Sequence, residues 1–338
     1  MHMADALLSP AVGGTMAAVS AGAIGLSVKK ISGGRLDEKK IPMMGVMGAF
    51  VFAAQMINFT IPGTGSSGHI GGGILLAAVL GPYPALLTIA AVLIIQCLLF
   101  ADGGLLALGC NLFNMGVCAC LIGWPLIYRP ILRRGINKKR ITAASVLSVT
   151  AALQLGAFCV VLETKASGVT ALPFKTFLLL MQPIHLAIGL VEGLATAAVL
   201  CFLHDARPEL LTAALTEKRL SGGVSLKKVL ITFAALAAVL AGVVSLYASR
   251  NPDGLEWAIR GITGSTELES TDAVHKTAGE AVKKTALLPD YSTDSKGGGT
   301  AVAGLVGSAV TLGAAAGVGA VIHGARRRKK KPADEGKS

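Results

Sequence analysis

The sequence YPALLTIAAVLIIQCLLF, residues 83–100, decides the class of fold. It contains no charged residue. An uninterrupted apolar run of about 18 or more residues is typical of a helix that crosses a bilayer. The stretch therefore predicts a membrane-spanning helix.

Similar apolar blocks recur on both sides of this stretch. They cover residues 7–28, 41–61, 68–80, 83–100, 104–128, 141–163, 176–202, 229–249 and 299–323. Only 15% of the 338 residues are charged, against roughly a quarter in a soluble protein. The block at 68–80 is too short to cross a bilayer alone, so we expect it to be tilted or partly re-entrant. The pattern predicts an all-α, polytopic membrane bundle of about seven hydrophobic blocks followed by two C-terminal transmembrane helices.

The basic residues lie between the apolar blocks and indicate the topology. Residues 29–40, 129–140, 203–228 and 324–338 hold 23 of the 31 Lys and Arg. With nine spans these segments share one side, which the positive-inside rule makes cytoplasmic. We therefore expect a multi-pass protein of the inner (plasma) membrane, with an external N-terminus and a cytoplasmic C-terminus. The net charge of +12 then reflects topology, and the expected contact is the lipid bilayer, with no nucleic acid.

The distribution of apolar and polar residues predicts three parts. Residues 1–202 form a compact transmembrane domain, and residues 203–228 form a polar cytoplasmic linker. Residues 229–338 form a smaller unit with two transmembrane helices, an external segment between them and a basic tail. No Lys or Arg precedes Lys29, so the first block lacks the basic start of a signal peptide and is expected to be retained.

The first two residues, Met1 and His2, offer nitrogen ligands. A free α-amine, the amide nitrogen of residue 2 and the His2 imidazole can bind one metal through adjacent five- and six-membered chelate rings. Nitrogen-rich tetragonal sites suit Ni(II) and Cu(II). An ordinary start sequence is the alternative interpretation of these two residues.

The glycine-rich loop PGTGSSGHIGGG, residues 62–73, contains one imidazole, His69. Its small residues let the backbone approach closely. A lone loop histidine is more often hydrogen-bonded than a ligand. It is nevertheless expected on the same outer face as Met1 and His2, where it could supply the fourth nitrogen.

Four polar residues within the apolar blocks are further candidates. His185 and Glu192 are seven residues apart and share a helix face. Ionisable groups within a membrane segment are costly and are functional candidates for that reason. Asn111 and Asn114 are weaker candidates of the same kind. These four residues either line a transport path or only lock helices together through hydrogen bonds.

Three classes of function remain open at this point: a metal-capturing transporter subunit, a self-sufficient channel or secondary carrier, and a membrane enzyme. The sequence has no GxxxxGK[ST] phosphate loop followed by a helix, so ATP hydrolysis by that route is excluded. A secondary carrier favours a chain of acidic residues inside the membrane, and only Glu192 lies well inside a block. An enzyme needs a general base near the metal, and nothing marks Asp5 as one. The chain is therefore not expected to be an enzyme.

Several motifs resemble a known family, the CbiM/NikM substrate-binding S components of cobalt and nickel energy-coupling factor transporters. The similar stretches are MHMADALLSP at 1–10, GTGSSGHIGGG at 63–73, GGLLALGCNLFNMG at 103–116 and HLAIGLVEGLATAAVL at 185–200. The later stretches NPDGLEWAIRG at 251–261 and LPDYS at 288–292 resemble the PDGLE, or NikN-like, domain found fused to such proteins.

The resemblance implies a function and a ligand set. It implies a metal held by the Met1 amine, His2 and His69, and no catalytic cofactor. It also implies two kinds of partner, a membrane coupling (T) subunit and cytoplasmic ATP-binding subunits. The transported ion is expected to be Ni(II), with Co(II) as the alternative, because the fused PDGLE segment and a square-planar nitrogen set both favour nickel.

Overall fold

The computed structural model describes the chain except residues 36, 219, 221–224, 269, 271, 292–298 and 331–338, and it describes no side chains at 34–35 and 326–330. Residues 1–206 form seven helices and one short hairpin. The helices are α1 (Pro10–Lys30), α2 (Lys40–Gln55), α3 (Gly73–Leu80), α4 (Pro82–Phe100), α5 (Leu108–Arg133), α6 (Lys138–Ser167) and α7 (Phe174–Ala206). The antiparallel strands β1 (Phe59–Ile61) and β2 (Ser66–Gly68) lie between α2 and α3.

Five further helices follow in the C-terminal third. They are α8 (Pro208–Thr216), α9 (Lys227–Gly242), α10 (Gly254–Thr263), α11 (Ala273–Thr285) and α12 (Gly299–Lys330). The segment expected to be external therefore contains two short helices, α10 and α11. Asp253 caps α10, and its side chain accepts from the amides of Leu255 and Glu256.

The predicted helical membrane bundle is confirmed. In the described part of the chain, seven helices are long and apolar enough to cross a bilayer: α1, α4, α5, α6, α7, α9 and α12. Two of the nine predicted blocks give shorter helices. Helix α2 has 16 residues, and α3 has eight, or about 12 Å. Helix α3 is short because residues 68–72, the start of the predicted block, lie outside the helix.

Contacts between the basic segments place three of them on one face of the bundle. The Asp37 carboxylate accepts from the amide of Leu220 at 2.7 Å. Arg129 pairs with Glu217 at 3.1 Å. The tail at 331–338 lies outside the described residues. The opposite face carries the N-terminal segment, the hairpin and helices α10 and α11.

The two C-terminal spans pack directly on the N-terminal bundle. Helices α9 and α12 both lie against α2. A Cβ atom added at Gly45 would lie 2.7 Å from the Leu312 carbonyl oxygen, so glycine permits this approach of α2 and α12. Small residues commonly allow such close packing between membrane helices.

The loop after β2 folds back into the bundle and carries His69 with it. Gln55, at the end of α2, donates a hydrogen bond to the Gly71 carbonyl at 2.8 Å. Gly72 begins α3 with a φ of 77°, a left-handed conformation that glycine adopts at little cost. A Cβ at this position would also lie 2.6 Å from Val51. The glycine-rich sequence thus allows a tight return beside α2.

Candidate metal site

Asn111 holds the N-terminal segment in place. The backbone N–H of Met3 donates to Asn111 Oδ1 at 2.8 Å, and Asn111 Nδ2 donates to the Met3 carbonyl at 3.2 Å. The amide of Gly104 donates to the same carbonyl at 3.1 Å. A carboxamide carries both a donor and an acceptor, so it can bond the backbone as a neighbouring strand would. Asn111 therefore fixes the position of the two residues before Met3.

The α-amine of Met1 lies inside the protein, between His69 and Asp253. It is 2.8 Å from His69 Nε2 and 2.7 Å from Asp253 Oδ2. The Met1 side chain is 3% exposed and that of Asp253 is 15% exposed. The structure thus brings the predicted amine and loop imidazole together, and it adds a carboxylate from the C-terminal third.

The His2 ring stacks on the His69 ring. Their centroids are 5.2 Å apart and the planes differ by 13°. Nδ1 of His2 lies 3.3 Å from Asp102 Oδ1, and Nε2 is buried without a hydrogen-bond partner. The three predicted ligands, Met1, His2 and His69, form one cluster, which we call the capture site.

Both imidazoles of the capture site are held in the neutral form. Burial lowers the pKa of His2, and the charge of Asp102 only partly opposes this. Burial lowers the pKa of His69 well below its usual value, and the positive amine lowers it further. A neutral imidazole keeps the lone pair that binds a metal ion.

Asp253 was not predicted as a site residue. Burial alone would raise the pKa of this carboxyl, but the amine and His69 outweigh burial and hold it well below its usual range. One oxygen caps α10 and the other faces the amine. The sequence does carry the Asp-x-x-Glu capping pattern at 253–256, which is complete here, but that pattern predicts a helix start and no long-range partner.

The segment around Asp253 is fastened to the hairpin. The amide of Ser67 donates to the Pro252 carbonyl at 2.8 Å, and Trp257 Nε1 donates to the Thr64 carbonyl at 2.9 Å. These bonds join the start of α10 to the loop that precedes His69. The C-terminal third therefore closes one side of the capture site.

Asp102 and Tyr291 form a second unpredicted pair beside His2. The Tyr291 hydroxyl donates to Asp102 Oδ2 at 2.5 Å, and its ring stacks on Phe100 with centroids 4.9 Å apart. Burial and the neighbouring Asp102 charge raise the pKa of Tyr291, so it remains a donor. This contact orients the carboxylate that faces His2 Nδ1.

His185 and Glu192 lie deeper in the bundle. Both line one cavity together with Met1, His69 and Asn114. Glu192 Oε1 accepts from the amide of Gly72 at 2.9 Å, so it supports the loop that carries His69.

The partner of Asn114 is a second carboxylate inside the bundle, which corrects one expectation from the sequence. From the sequence, only Glu192 lies well inside an apolar block. In the structure Glu163 is 7% exposed within α6 and accepts from Asn114 Nδ2 at 2.8 Å. The helix extends four residues past Glu163, to Ser167, so the carboxylate stays within the bundle.

Side chains alone do not assemble a metal site. Across the described residues, no three His, Cys, Asp or Glu side chains converge closely enough to hold an ion. The capture site differs because its first donor is a backbone amine.

These features describe a multi-pass helical membrane protein with a buried amine beside two imidazoles, a donor set suited to a metal cation. The family comparison agrees. Residues 2–210 match the CbiM family, described as the cobalt uptake substrate-specific transmembrane region, and residues 227–324 match the PDGLE domain. The chain belongs to the CbiM family of cobalt and nickel transport membrane proteins and carries a fused PDGLE domain.

Relatives and solved structures are similar to all or part of the chain. A protein of Archaeoglobus fulgidus, described as a fused nickel transport protein NikMN, is 33% identical over 92% of this chain and 96% of its own length. The cobalt transport protein CbiM of Geobacter sulfurreducens is 28% identical over 62% of this chain and 61% of its own. A crystal structure of a transition metal transporter superposes with a TM-score of 0.55 at 31% identity, over 62% of this chain and 95% of that one.

Proposed function

We propose that this chain is the substrate-capturing subunit of an energy-coupling factor uptake system for nickel, with cobalt as the second choice. The ion is bound at the outer face of the membrane by the Met1 amine, the amide nitrogen and imidazole of His2, and His69. The relatives described as nickel and cobalt transport proteins support this class of ion.

One observation carries the ligand assignment: the amine of Met1 lies 2.8 Å from His69 Nε2, although 68 residues separate them. Two nitrogens at right angles around a metal, with bonds of about 2.0 Å, lie about 2.8 Å apart. The observed separation therefore suits neighbouring corners of a square plane.

The amide nitrogen and the imidazole of His2 would occupy the other two corners of the square plane. The six-membered ring uses His2 Nδ1, and in this structure Nδ1 faces Asp102 while the amine faces Asp253. Metal binding therefore exchanges two carboxylate contacts for two metal bonds. A planar set of four nitrogens favours Ni(II) over ions that prefer tetrahedral or octahedral sites.

We infer the partners from the missing phosphate-loop motif and from the position of the basic segments. With no phosphate-loop motif, the chain needs ATP-binding subunits and a membrane coupling subunit to drive uptake. The basic face formed by the segments at 29–40, 129–140 and 203–228 is the cytoplasmic surface available to them. The capture site then faces the outside of the inner membrane.

A short extension at the N-terminus tests the capture site. A histidine-free tag of several residues added before Met1 replaces the amine by an amide and moves the new amine away from the site. The extended chain should fold but hold no nickel, whereas the same tag placed after Ser338 should leave binding unchanged. Metal content of the two purified proteins, with Ni(II) and Co(II) in competition, is the measurement.

Equal nickel occupancy in the two proteins would show that the amine is not a ligand. The need for partners is tested separately in liposomes. If the chain alone concentrated nickel against a gradient, it would be a self-sufficient carrier, the alternative function.

A further inference from the structure

His185 has one nitrogen satisfied and one free, in a fixed arrangement. Nδ1 lies 2.8 Å from the Met181 carbonyl, one turn back on α7. A carbonyl only accepts, so Nδ1 carries the proton and Nε2 carries the lone pair. Nε2 is buried and has no hydrogen-bond partner, and the residue is 1% exposed. Histidine ligands of metals are commonly oriented in this way, by a carbonyl on the other ring nitrogen.

The wall of the cavity around His185 is mostly apolar and presents a few polar acceptors. Asn114 Oδ1 is buried without a partner, and the amide nitrogen of the same side chain donates to Glu163 and to the Met3 sulfur. The carboxylate of Glu192 also lines the cavity. Among the described residues that line it there is no Lys or Arg, and the Met1 amine belongs to the capture site. The acceptors of the inner wall therefore suit a cation.

The cavity continues from the capture site into the bundle. Met1 and His69 line it at one end, and Glu192 lies about 10 Å further along α7 than His185, at 1.5 Å per residue. A Cβ at Gly254 would lie 3.2 Å from His185 Nε2 and 3.0 Å from its Cε1. Glycine at this position leaves the free nitrogen open to the cavity.

We propose that His185 is the ligand of a second, inner position for the transported divalent transition-metal ion, with Asn114 Oδ1 and Glu192 as the other acceptors of the cavity. The ion reaches this position when it leaves the capture site. The proposal rests on the proposed function, because it assigns the next step along the path of the same ion.

The inner position is necessarily weaker than the capture site. It has one imidazole and no chelate ring, and no three strong side-chain ligands converge there among the described residues. Weak binding suits a position that must release its ion. A purely structural histidine would not explain the free nitrogen, since an unsatisfied buried polar atom costs about 1–3 kcal/mol.

The test first abolishes binding at the capture site and then measures the binding that remains. In the full chain carrying the N-terminal tag, Co(II) up to about 1 mM is followed by calorimetry and by its visible absorption spectrum. We expect one weak equivalent with an imidazole-type spectrum. His185→Ala in this background should weaken it by about tenfold or more. His204→Ala, on the same helix but outside the cavity lining, is the matched control and should leave it unchanged.

One further variant protects the result against a folding defect. His185→Gln keeps a polar side chain but not the imidazole, so it should lose the weak equivalent while gel filtration and thermal unfolding stay normal. Absence of weak binding with His185 intact, or equal binding in His185→Ala, would overturn the inner site. Failure of the capture site is read independently, as equal affinity with the amine free and blocked.

Discussion

Replacing Asp253 by Asn should loosen the C-terminal third from the capture site without damaging helix α10. Asn caps helices as well as Asp does, so the start of α10 is preserved. The change removes only the negative charge that faces the Met1 amine at 2.7 Å. Asp253→Ala removes the cap as well, so the two variants separate charge from capping.

The expected size follows from burial. Removing one partner of a buried ion pair costs about 3–5 kcal/mol. Because the Asp253 side chain retains 15% exposure, we take the lower end, about 3 kcal/mol. Loss of the cap in Asp253→Ala adds about 1 kcal/mol. A loss of about 3 kcal/mol corresponds to local opening that is about a hundredfold more frequent.

Hydrogen exchange of the backbone amides at 254–257 measures this opening. Asp272→Asn is the matched control, since Asp272 precedes α11, is half exposed and does not face the amine. The N-terminal tag removes the other partner of the pair, so its effect and that of Asp253→Asn should not add. Exchange at wild-type rates in Asp253→Asn would refute the reasoning.

The remaining predictions concern ligands, positioning and packing. His69→Ala should weaken nickel binding by about a hundredfold to a thousandfold in calorimetry, since four-ligand sites bind with about 10–16 kcal/mol in total. Asn111→Ala removes both bonds to the Met3 backbone, so nickel affinity should fall although no ligand is lost; unchanged affinity would contradict the positioning role. Gly45→Ala should lower thermal stability in detergent by about 1–3 kcal/mol, whereas Gly14→Ala, with nothing within 4 Å of the added carbon, should not. Nickel binding at pH 7 should release about two protons, from the amine and one amide, because neither imidazole carries one; titrations in buffers of different ionisation enthalpy measure this.

Hydropathy and charge predicted the helical bundle because a bilayer restricts both the hydropathy of a span and the positions of charged residues. A span must be apolar over its whole length, and that requirement is visible in each block separately. The same signal cannot show how α3 is shortened. Its apolar residues begin at Ile74, and only the left-handed conformation of Gly72 in the structure shows that the helix begins no earlier than Gly73.

The candidate ligands were predictable and their partners were not. Met1 and His2 are adjacent in sequence, so their chelating geometry follows from covalent structure alone. Asp253 reaches the amine across 252 residues, and Tyr291 reaches Asp102 across 189. No local pattern encodes such contacts, since they depend on how α9 and α12 pack on α2.

The two carboxylates explain how a buried site can accept a doubly charged ion. In this structure the ammonium of Met1 carries one positive charge and faces Asp253, while Asp102 faces His2. These three groups sum to one negative charge. A dication that displaces one proton from the amine and one from the amide adds two charges and removes two, so the sum is unchanged. The field of Asp253 and Asp102 therefore suits the site equally before and after capture, and proton concentration, more than salt, should govern affinity. Without the two carboxylates the sum would be positive both before and after capture, and Asp253, one of the two, belongs to the PDGLE segment.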